Sequence, residues 1–234
     1  KTMYKNFGLN EKEKKFMADN KSKKSTIGLR VAAIVLWVLA IVAEVIGVLV
    51  LFGKIQTPEA YMLYFLIGAI VLDLIFIIIG SQLWKKANHI NPASEKNAFA
   101  FWLQNNLGVI VSVIAFAPLL VLILINKDAD KKTKTIAGIV CAVALAIAGV
   151  TSYDFNPVSQ EDLARAEAYF NDTTVFFTKN GKVYHSHEDC GYLKNSKEIL
   201  NGKVKAAFEA EKSRLCKTCA KKDGVTNETL LVQE

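Results

Sequence analysis

Three cysteines and a histidine in the last fifty residues have the types and spacing of a metal site. Four residues lie between His185 and Cys190, two lie between Cys216 and Cys219, and 25 residues separate the two pairs. Zn²⁺ prefers four nitrogen and sulfur ligands in a tetrahedron, and a hairpin end and a helix start can each supply two of them. The spacing therefore predicts a zinc site, with His187 as an alternative to His185.

A closed site of this kind predicts a structural role. Four protein ligands leave zinc without an open coordination position for a substrate, which argues against an enzyme. The surrounding segment can bury only a small core, so a bound metal would contribute folding free energy directly. The alternative is a membrane-anchored, thiol-reactive enzyme in which Cys190, Cys216 or Cys219 reacts.

Turn and helix signals define the segments around these residues. A capping-box motif that starts at Ser159 predicts a short helix over 160–170, within a juxtamembrane segment, 152–173. Two β-rich runs flank Asn180-Gly181, which is a strong hairpin signal. Residues 174–234 are therefore predicted to form a small α+β, ββα-like zinc-binding domain with a polar C-terminal tail.

The ligands lie within a longer motif. Its pieces are Val183-Tyr184-His185, Cys190-Gly191-Tyr192-Leu193-Lys194 and Arg214-Leu215-Cys216-Lys217-Thr218-Cys219. They resemble the metal-binding domain of the bacterial DNA repair protein Ada, and related modules appended to bacterial surface, nuclease-like and membrane proteins. Over about 174–222, the resemblance implies this fold, a zinc ion and a bacterial source.

The chain departs from the Ada-type pattern where the repair chemistry would lie. Ada uses four cysteines, one of which accepts a methyl group from DNA phosphate, whereas His185 stands in the first position here. No basic DNA-reading segment follows Cys219. We therefore expect the fold and the metal without the methyl transfer, and no nucleic-acid partner.

Apolar residues concentrate between 27 and 151, outside this domain. A bilayer core about 30 Å thick needs about 20 mostly apolar residues in a helix. The sequence therefore predicts an all-α polytopic membrane bundle of four transmembrane helices, at about 31–52, 61–84, 99–125 and 136–153. A basic cytoplasmic arm, 1–26, precedes the bundle and should attract anionic lipids.

Basic residues in the connections predict the orientation. Nine Lys or Arg precede the first run and three lie between the second and third, against five in the other two connections. A multi-pass protein of the cell membrane with both termini in the cytoplasm is therefore expected. The basic third connection, 126–134, leaves one alternative: a third run that forms a re-entrant hairpin or an interfacial helix would export the C-terminal domain.

Two acidic residues, Glu44 and Asp73, lie near the centres of the first two runs and reach similar depth in a helical hairpin. A charge at that depth costs about 2.5–3.5 kcal/mol on insertion scales, so both side chains should face the bundle interior. They are candidates for an intramembrane proton or cation site. The structural alternative is two neutral acids hydrogen-bonded to neighbouring groups.

Together these patterns predict an integral membrane scaffold, sensor or accessory protein. Its zinc-binding cytoplasmic domain would contact another protein or a second copy of the chain. Proton or cation handling by Glu44 and Asp73 is the first alternative function, and the thiol-reactive enzyme is the second. The chain contains no Gly-rich phosphate loop, H-E-x-x-H or G-x-S-x-G motif that would favour another class.

Overall fold

Four long apolar helices form the first two thirds of the protein. The structure is a computed structural model that describes residues 11–127 and 129–233, and side chains in α1 from Thr26 onward. The predicted lipid contacts of the basic arm fall on residues 1–10 and on undescribed side chains, and so lie outside this description. The helices are α1 (Glu11–Leu51), α2 (Glu59–Ile90), α3 (Ala98–Ile125) and α4 (Lys131–Ser152).

Each helix contains a segment long and apolar enough to cross a membrane, as the sequence predicts. Three helices extend beyond the apolar runs that predict them. α1 begins at Glu11 rather than at residue 31, so its first turns lie in the predicted basic arm. α2 continues through Lys85, Lys86 and His89 to Ile90. α4 begins at Lys131 rather than at residue 136, because the Asp130 side chain caps it by accepting a hydrogen bond from the Thr133 N–H at 3.0 Å.

The shape of α3 shows whether the third apolar run folds back on itself. α3 is continuous from Ala98 to Ile125, and Pro118 lies inside it without ending it. A continuous helix of 28 residues has the length of a full span and no hairpin in its middle. The third run therefore folds as one rod.

Close contacts join α1 and α2 along an antiparallel pair. Gly47 on α1 lies opposite Ala69 on α2, and Trp37 packs against Gly80. At the far end of the bundle, the Asn126 side chain donates to the Leu51 carbonyl at 3.1 Å. The centre is apolar, with Phe116, Leu119 and Ile123 of α3 among the buried residues.

A small mixed domain follows α4. Its elements are α5 (Gln160–Phe170), β1 (Val175–Phe177), β2 (Val183–His185), β3 (Leu200–Gly202), α6 (Val204–Glu209), β4 (Arg214–Leu215) and α7 (Lys217–Asp223). The predicted α5 helix, its capping box and the β1–β2 hairpin are all present. The sheet has the order β3-β1-β2-β4, so the ββα-like prediction omitted two strands.

The domain core extends beyond the sheet. Phe170 of α5 stacks edge-on against Tyr184 of β2, with ring centroids 5.7 Å apart. Leu230 and Val232, in the segment predicted as a polar tail, are buried in the same core. The juxtamembrane helix and the C-terminal residues are thus integral parts of one domain.

Polar contacts seat this domain on one end of the bundle. The Gln160 N–H donates to the Ala93 carbonyl at 3.0 Å, and the Ser94 hydroxyl donates to Glu161 at 2.5 Å. Arg30, near the start of the apolar part of α1, donates to the Asn91 carbonyl at the same end. The α2–α3 connection and the C-terminal domain therefore share one end of the bundle.

Candidate metal centre

Two adjacent strands bring the histidine and the second cysteine pair together. β2 and β4 are parallel neighbours, with Tyr184 opposite Leu215. His185 is the last residue of β2, and Cys216 directly follows β4, so both lie at the same edge of the sheet. The Cys216 N–H donates to the Tyr184 carbonyl at 2.8 Å and continues the ladder. Parallel pairing thus converts a long sequence separation into a short distance.

Short local turns supply the other two sulfurs. Cys216 is the N-cap of α7, which puts Cys219 one turn into that helix and on the same side. Cys190 lies in the turn after β2, where its carbonyl accepts the Leu193 N–H at 2.8 Å. Gly224, with φ of +68°, ends α7 in the left-handed conformation that glycine adopts without strain.

The four donor atoms form one compact cluster. The ligand atoms of His185, Cys190, Cys216 and Cys219 all lie within 4.8 Å of one another. Cys190 Sγ is 4.0 Å from Cys216 Sγ, and Cys219 Sγ is 3.8 Å from His185 Nδ1. Zinc–sulfur bonds of about 2.3 Å in a tetrahedron separate the sulfurs by about 3.8 Å. The cluster has the size that a tetrahedral ion requires.

Burial favours the neutral forms of two of the four donor groups. All four residues are buried, the most exposed being Cys190 at 6%. Burial raises the pKa of the Cys190 thiol to about 11 and lowers the pKa of the His185 imidazole. A neutral imidazole can bind a metal at once, whereas the thiols need a nearby positive charge to ionise. A bound metal ion would supply that charge.

His187 lies outside the cluster. Its Nε2 is 2.6 Å from an Asp223 carboxylate oxygen, and the Ser186 hydroxyl donates to the other oxygen at 2.5 Å. These bonds tie the segment after β2 to the end of α7 and leave His185 as the histidine beside the cysteines. The sequence pattern missed Asp223, because its spacing from His187 follows no metal-site or turn motif.

The basic side chains near the second cysteine pair point away from the cluster where the structure gives them partners. Lys222 reaches Asp189 at the surface, 3.4 Å away, and Arg214 donates to the Val232 carbonyl at 3.3 Å. Exposed ion pairs of this kind stabilise little. Lys222 and Arg214 are therefore bound by groups outside the cluster.

Glu44 and Asp73 lie far from this cluster, within the bundle. The Gly47–Ala69 and Trp37–Gly80 contacts bracket the two acids, so they occupy the same layer of the α1–α2 pair. Glu44 is half-buried and Asp73 is fully buried. Neither oxygen of Asp73 has a hydrogen-bond partner in the described part of the chain. The two residues therefore lie at a similar level of the α1–α2 pair.

Among the described residues, the His185 cluster is the one group of three or more His, Cys, Asp or Glu side chains close enough to share a metal ion. Cys141, the remaining cysteine, is buried in the bundle near the Phe116 carbonyl. No protein-family model matches the chain, and comparisons with curated proteins and with solved structures also give no match. Function must therefore be inferred from the cluster and the helices themselves.

Proposed function

We propose that this protein spans the cell membrane four times and presents a C-terminal domain stabilised by one structural zinc ion in the cytoplasm. Its role is that of a scaffold, sensor or accessory protein, and the zinc-bound domain provides a rigid surface for a protein partner or a second copy. The observation that carries this proposal is the buried, closed set of one nitrogen and three sulfur donors.

The outer surface of the bundle supports membrane insertion. Large apolar side chains on the outward faces are exposed, including Val38 at 53%, Ile114 at 58% and Ile139 at 60%. A soluble protein rarely exposes so large a contiguous apolar surface. Exposed aromatic rings lie near both ends, with Tyr61 at one and Trp102 at the other. Aromatic side chains favour the two membrane–water interfaces.

Zinc is favoured by the donor set. Soft thiolate ligands select zinc, monovalent copper or iron–sulfur clusters, and a mixed set with one imidazole in a tetrahedron is typical of structural zinc. The sulfurs are buried and each can be held by the ion, which supports a structural role over a reactive thiol. The motif resemblance to the Ada-type domain agrees with the same metal.

Elemental analysis of the full chain purified in detergent tests the zinc proposal. The intact protein should contain about one zinc per chain, because four ligands complete one tetrahedral site. Cys216→Ser and His185→Ala should lose it, whereas His185→Cys keeps a fourth ligand and should retain it. Cys141→Ser and His187→Ala are the matched controls and should bind as the intact protein does. An intact protein free of zinc, or full zinc content in Cys216→Ser, would contradict the proposal.

The second candidate function is proton or cation handling by the bundle, and it is supported by the unpartnered carboxyl group of Asp73. A buried polar group without a hydrogen bond is costly and often marks a functional position. In proteoliposomes, Asp73→Asn and Glu44→Gln should each abolish proton or cation flux, with Ser112→Ala as a buried polar control. Flux that is absent from the intact protein, or unchanged in both variants, rejects this candidate.

A further inference from the structure

A cleft of about 810 Å³ lies between the end of α2 and the C-terminal domain. We call it the basic cleft, since its charged lining is mostly cationic. α2 contributes Lys85 and Lys86, the β1–β2 turn contributes Lys182, and the loop before β4 contributes Lys212 and Arg214. None of the four metal-cluster residues lines it.

The charges of this lining are not balanced within the cleft. Five basic side chains face two acidic ones, Asp154 and Glu211. Asp154 is already engaged, because its carboxylate lies 2.8 Å from His89 Nε2. None of the five basic residues forms an ion pair with a described residue. The cleft therefore keeps an excess of positive charge.

The hydrogen-bond partners of two of these residues are neutral, although Lys85 is also attracted by the charges of Asp154 and Glu211. Lys85 Nζ donates to the carbonyl of Thr151 at 2.7 Å, which positions the ammonium group at the end of α4. Arg214 donates to the Val232 carbonyl. Carbonyl groups orient these cations without cancelling their charge, so both groups remain able to attract an anion. No hydrogen bond to another described side chain is found for Lys86, Lys182 or Lys212.

The basic cleft lies at the depth where phospholipid headgroups would be found. Along the segment that leaves α4, Asp154 and Asn156 line the cleft, whereas Tyr153 and Phe155 are exposed. Those two rings pack edge-on with centroids 4.8 Å apart. Aromatic rings at the end of a membrane span mark the headgroup level. With the membrane placement of the proposed function, the cleft would open at the level of the lipid phosphates.

We propose that the basic cleft binds a phosphate-bearing anion, which an anionic phospholipid headgroup or a soluble phosphate compound can provide. Lysine and arginine are the usual ligands of phosphate, through charge-assisted hydrogen bonds from several directions. The proposal uses the membrane placement of the helices from the proposed function. It does not depend on zinc, so metal analysis and anion binding can fail separately.

The test is a lipid titration of the full detergent-purified chain, followed by native mass spectrometry. Phosphatidylglycerol is the anionic probe, phosphatidylcholine is the zwitterionic comparison, and glycerol 3-phosphate is the soluble one. The double variant Lys182→Glu/Lys212→Glu reverses two cleft charges on the domain side. Lys194→Glu/Lys197→Glu makes the same charge change at exposed positions of the same domain, outside the cleft.

Each lysine near an anionic headgroup contributes about 1 kcal/mol, so the cleft variant should weaken phosphatidylglycerol binding about tenfold or more. The control variant should change binding less than about twofold. If glycerol 3-phosphate binds and the cleft variant weakens its binding in the same way, while phosphatidylglycerol does not bind, the proposal is also supported. The ligand is then a soluble phosphate compound. Equal loss in both variants, equal affinity for phosphatidylcholine, or no binding of either phosphate probe would overturn it.

Folding of the variants is checked by thermal unfolding in detergent. If the double charge reversal unfolds the domain, Lys182→Gln/Lys212→Gln replaces it and removes the charges without adding acids. This variant should still weaken phosphatidylglycerol binding several-fold relative to Lys194→Gln/Lys197→Gln. Unchanged binding in a folded cleft variant would contradict the proposal.

Discussion

Asp154 is one of the residues that connect the end of α4 to α2. Its side chain is 8% exposed and lies 2.8 Å from His89 Nε2, and it also accepts the Asn156 N–H at 3.0 Å. Burial alone would raise the pKa of Asp154, but the His89 hydrogen bond and charge, the Asn156 N–H and Lys85 together lower it. The ionised carboxylate is thus favoured by the fold.

Asp154→Asn should therefore destabilise the protein at neutral pH, by about 1–3 kcal/mol for a lost charge-assisted hydrogen bond. A lowered carboxyl pKa contributes stability above the unfolded value of about 3.9, and this contribution is lost as pH falls through the folded value. Thermal unfolding in detergent should show a large difference from the unaltered protein at neutral pH and a small one in acid.

Glu198→Gln serves as the control for this experiment. Its carboxyl group is exposed and forms no hydrogen bond or ion pair with a described residue, so stability should not change. A difference between the Asp154→Asn variant and the unaltered protein that persists undiminished at acid pH would show that the carboxylate charge is not the stabilising feature.

Residue types and spacing were sufficient to find the donor set of the metal centre, but not to choose between two histidines. His185 and His187 are two residues apart and lie on the same strand-like stretch. The choice depends on Asp223, which reaches His187 across a long sequence separation. The sequence also could not predict the basic cleft. Its lysines come from α2 and from the C-terminal domain, and they lie together only because the domain packs on the end of the bundle.

Gly80 of α2 lies where α1 and α2 pack closely together. A Cβ atom at Gly80 would lie 2.7 Å from Trp37 Nε1 and 3.2 Å from the Ala33 carbonyl. The indole ring is rigid and the carbonyl belongs to the backbone, so neither can easily move. The absence of a side chain at this position lets the two helices approach each other.

Gly80→Ala should consequently lower the unfolding temperature in detergent, with an overpacking cost of about 1–3 kcal/mol. Gly68→Ala in the same helix is the control, since a Cβ there meets nothing within 4 Å. That control should be neutral or more stable by up to about 1 kcal/mol, as alanine favours helix over glycine. Equal unfolding temperatures for the two variants would show that the Trp37 contact does not limit the packing.

The elements with strong local signals were the ones that the sequence predicted. The Ser159–Asp162 capping box determines structure within a few residues, and it is confirmed. The predicted β1–β2 hairpin is also present, but residues 178–182 connect its strands and Gly181 lacks the positive φ of a two-residue Asn-Gly turn. Strands β3 and β4 are three and two residues long, and they form by pairing with distant segments. Strands this short contain too few residues to show an alternation of apolar and polar side chains, so the sequence pattern could not reveal them.

For the whole molecule, the side of the membrane on which the domain lies is the property that most affects function. The α2–α3 connection and the C-terminal domain share one end of the bundle, and the α1–α2 connection lies at the other. The excess of basic residues at the domain end favours the cytoplasm for that end. A cytoplasmic location would also keep the three cysteines of the cluster reduced.

Single cysteines introduced into the two connections test this orientation in intact cells. Lys54→Cys and Lys96→Cys are both at exposed positions, and the four native cysteines are buried. A membrane-impermeant maleimide should label Lys54→Cys directly and Lys96→Cys only after permeabilisation. The reverse labelling pattern would show that the C-terminal domain lies outside the cytoplasm. Labelling of both variants in intact cells would contradict four antiparallel spans.

We propose that one zinc ion is held by three sulfurs and one nitrogen in this domain. X-ray absorption at the zinc edge of the purified full chain measures that ligand shell directly. We expect three sulfur neighbours at about 2.3 Å and one nitrogen at about 2.0 Å. A shell made only of oxygen and nitrogen, a shell of four sulfurs, or a protein without zinc would contradict it.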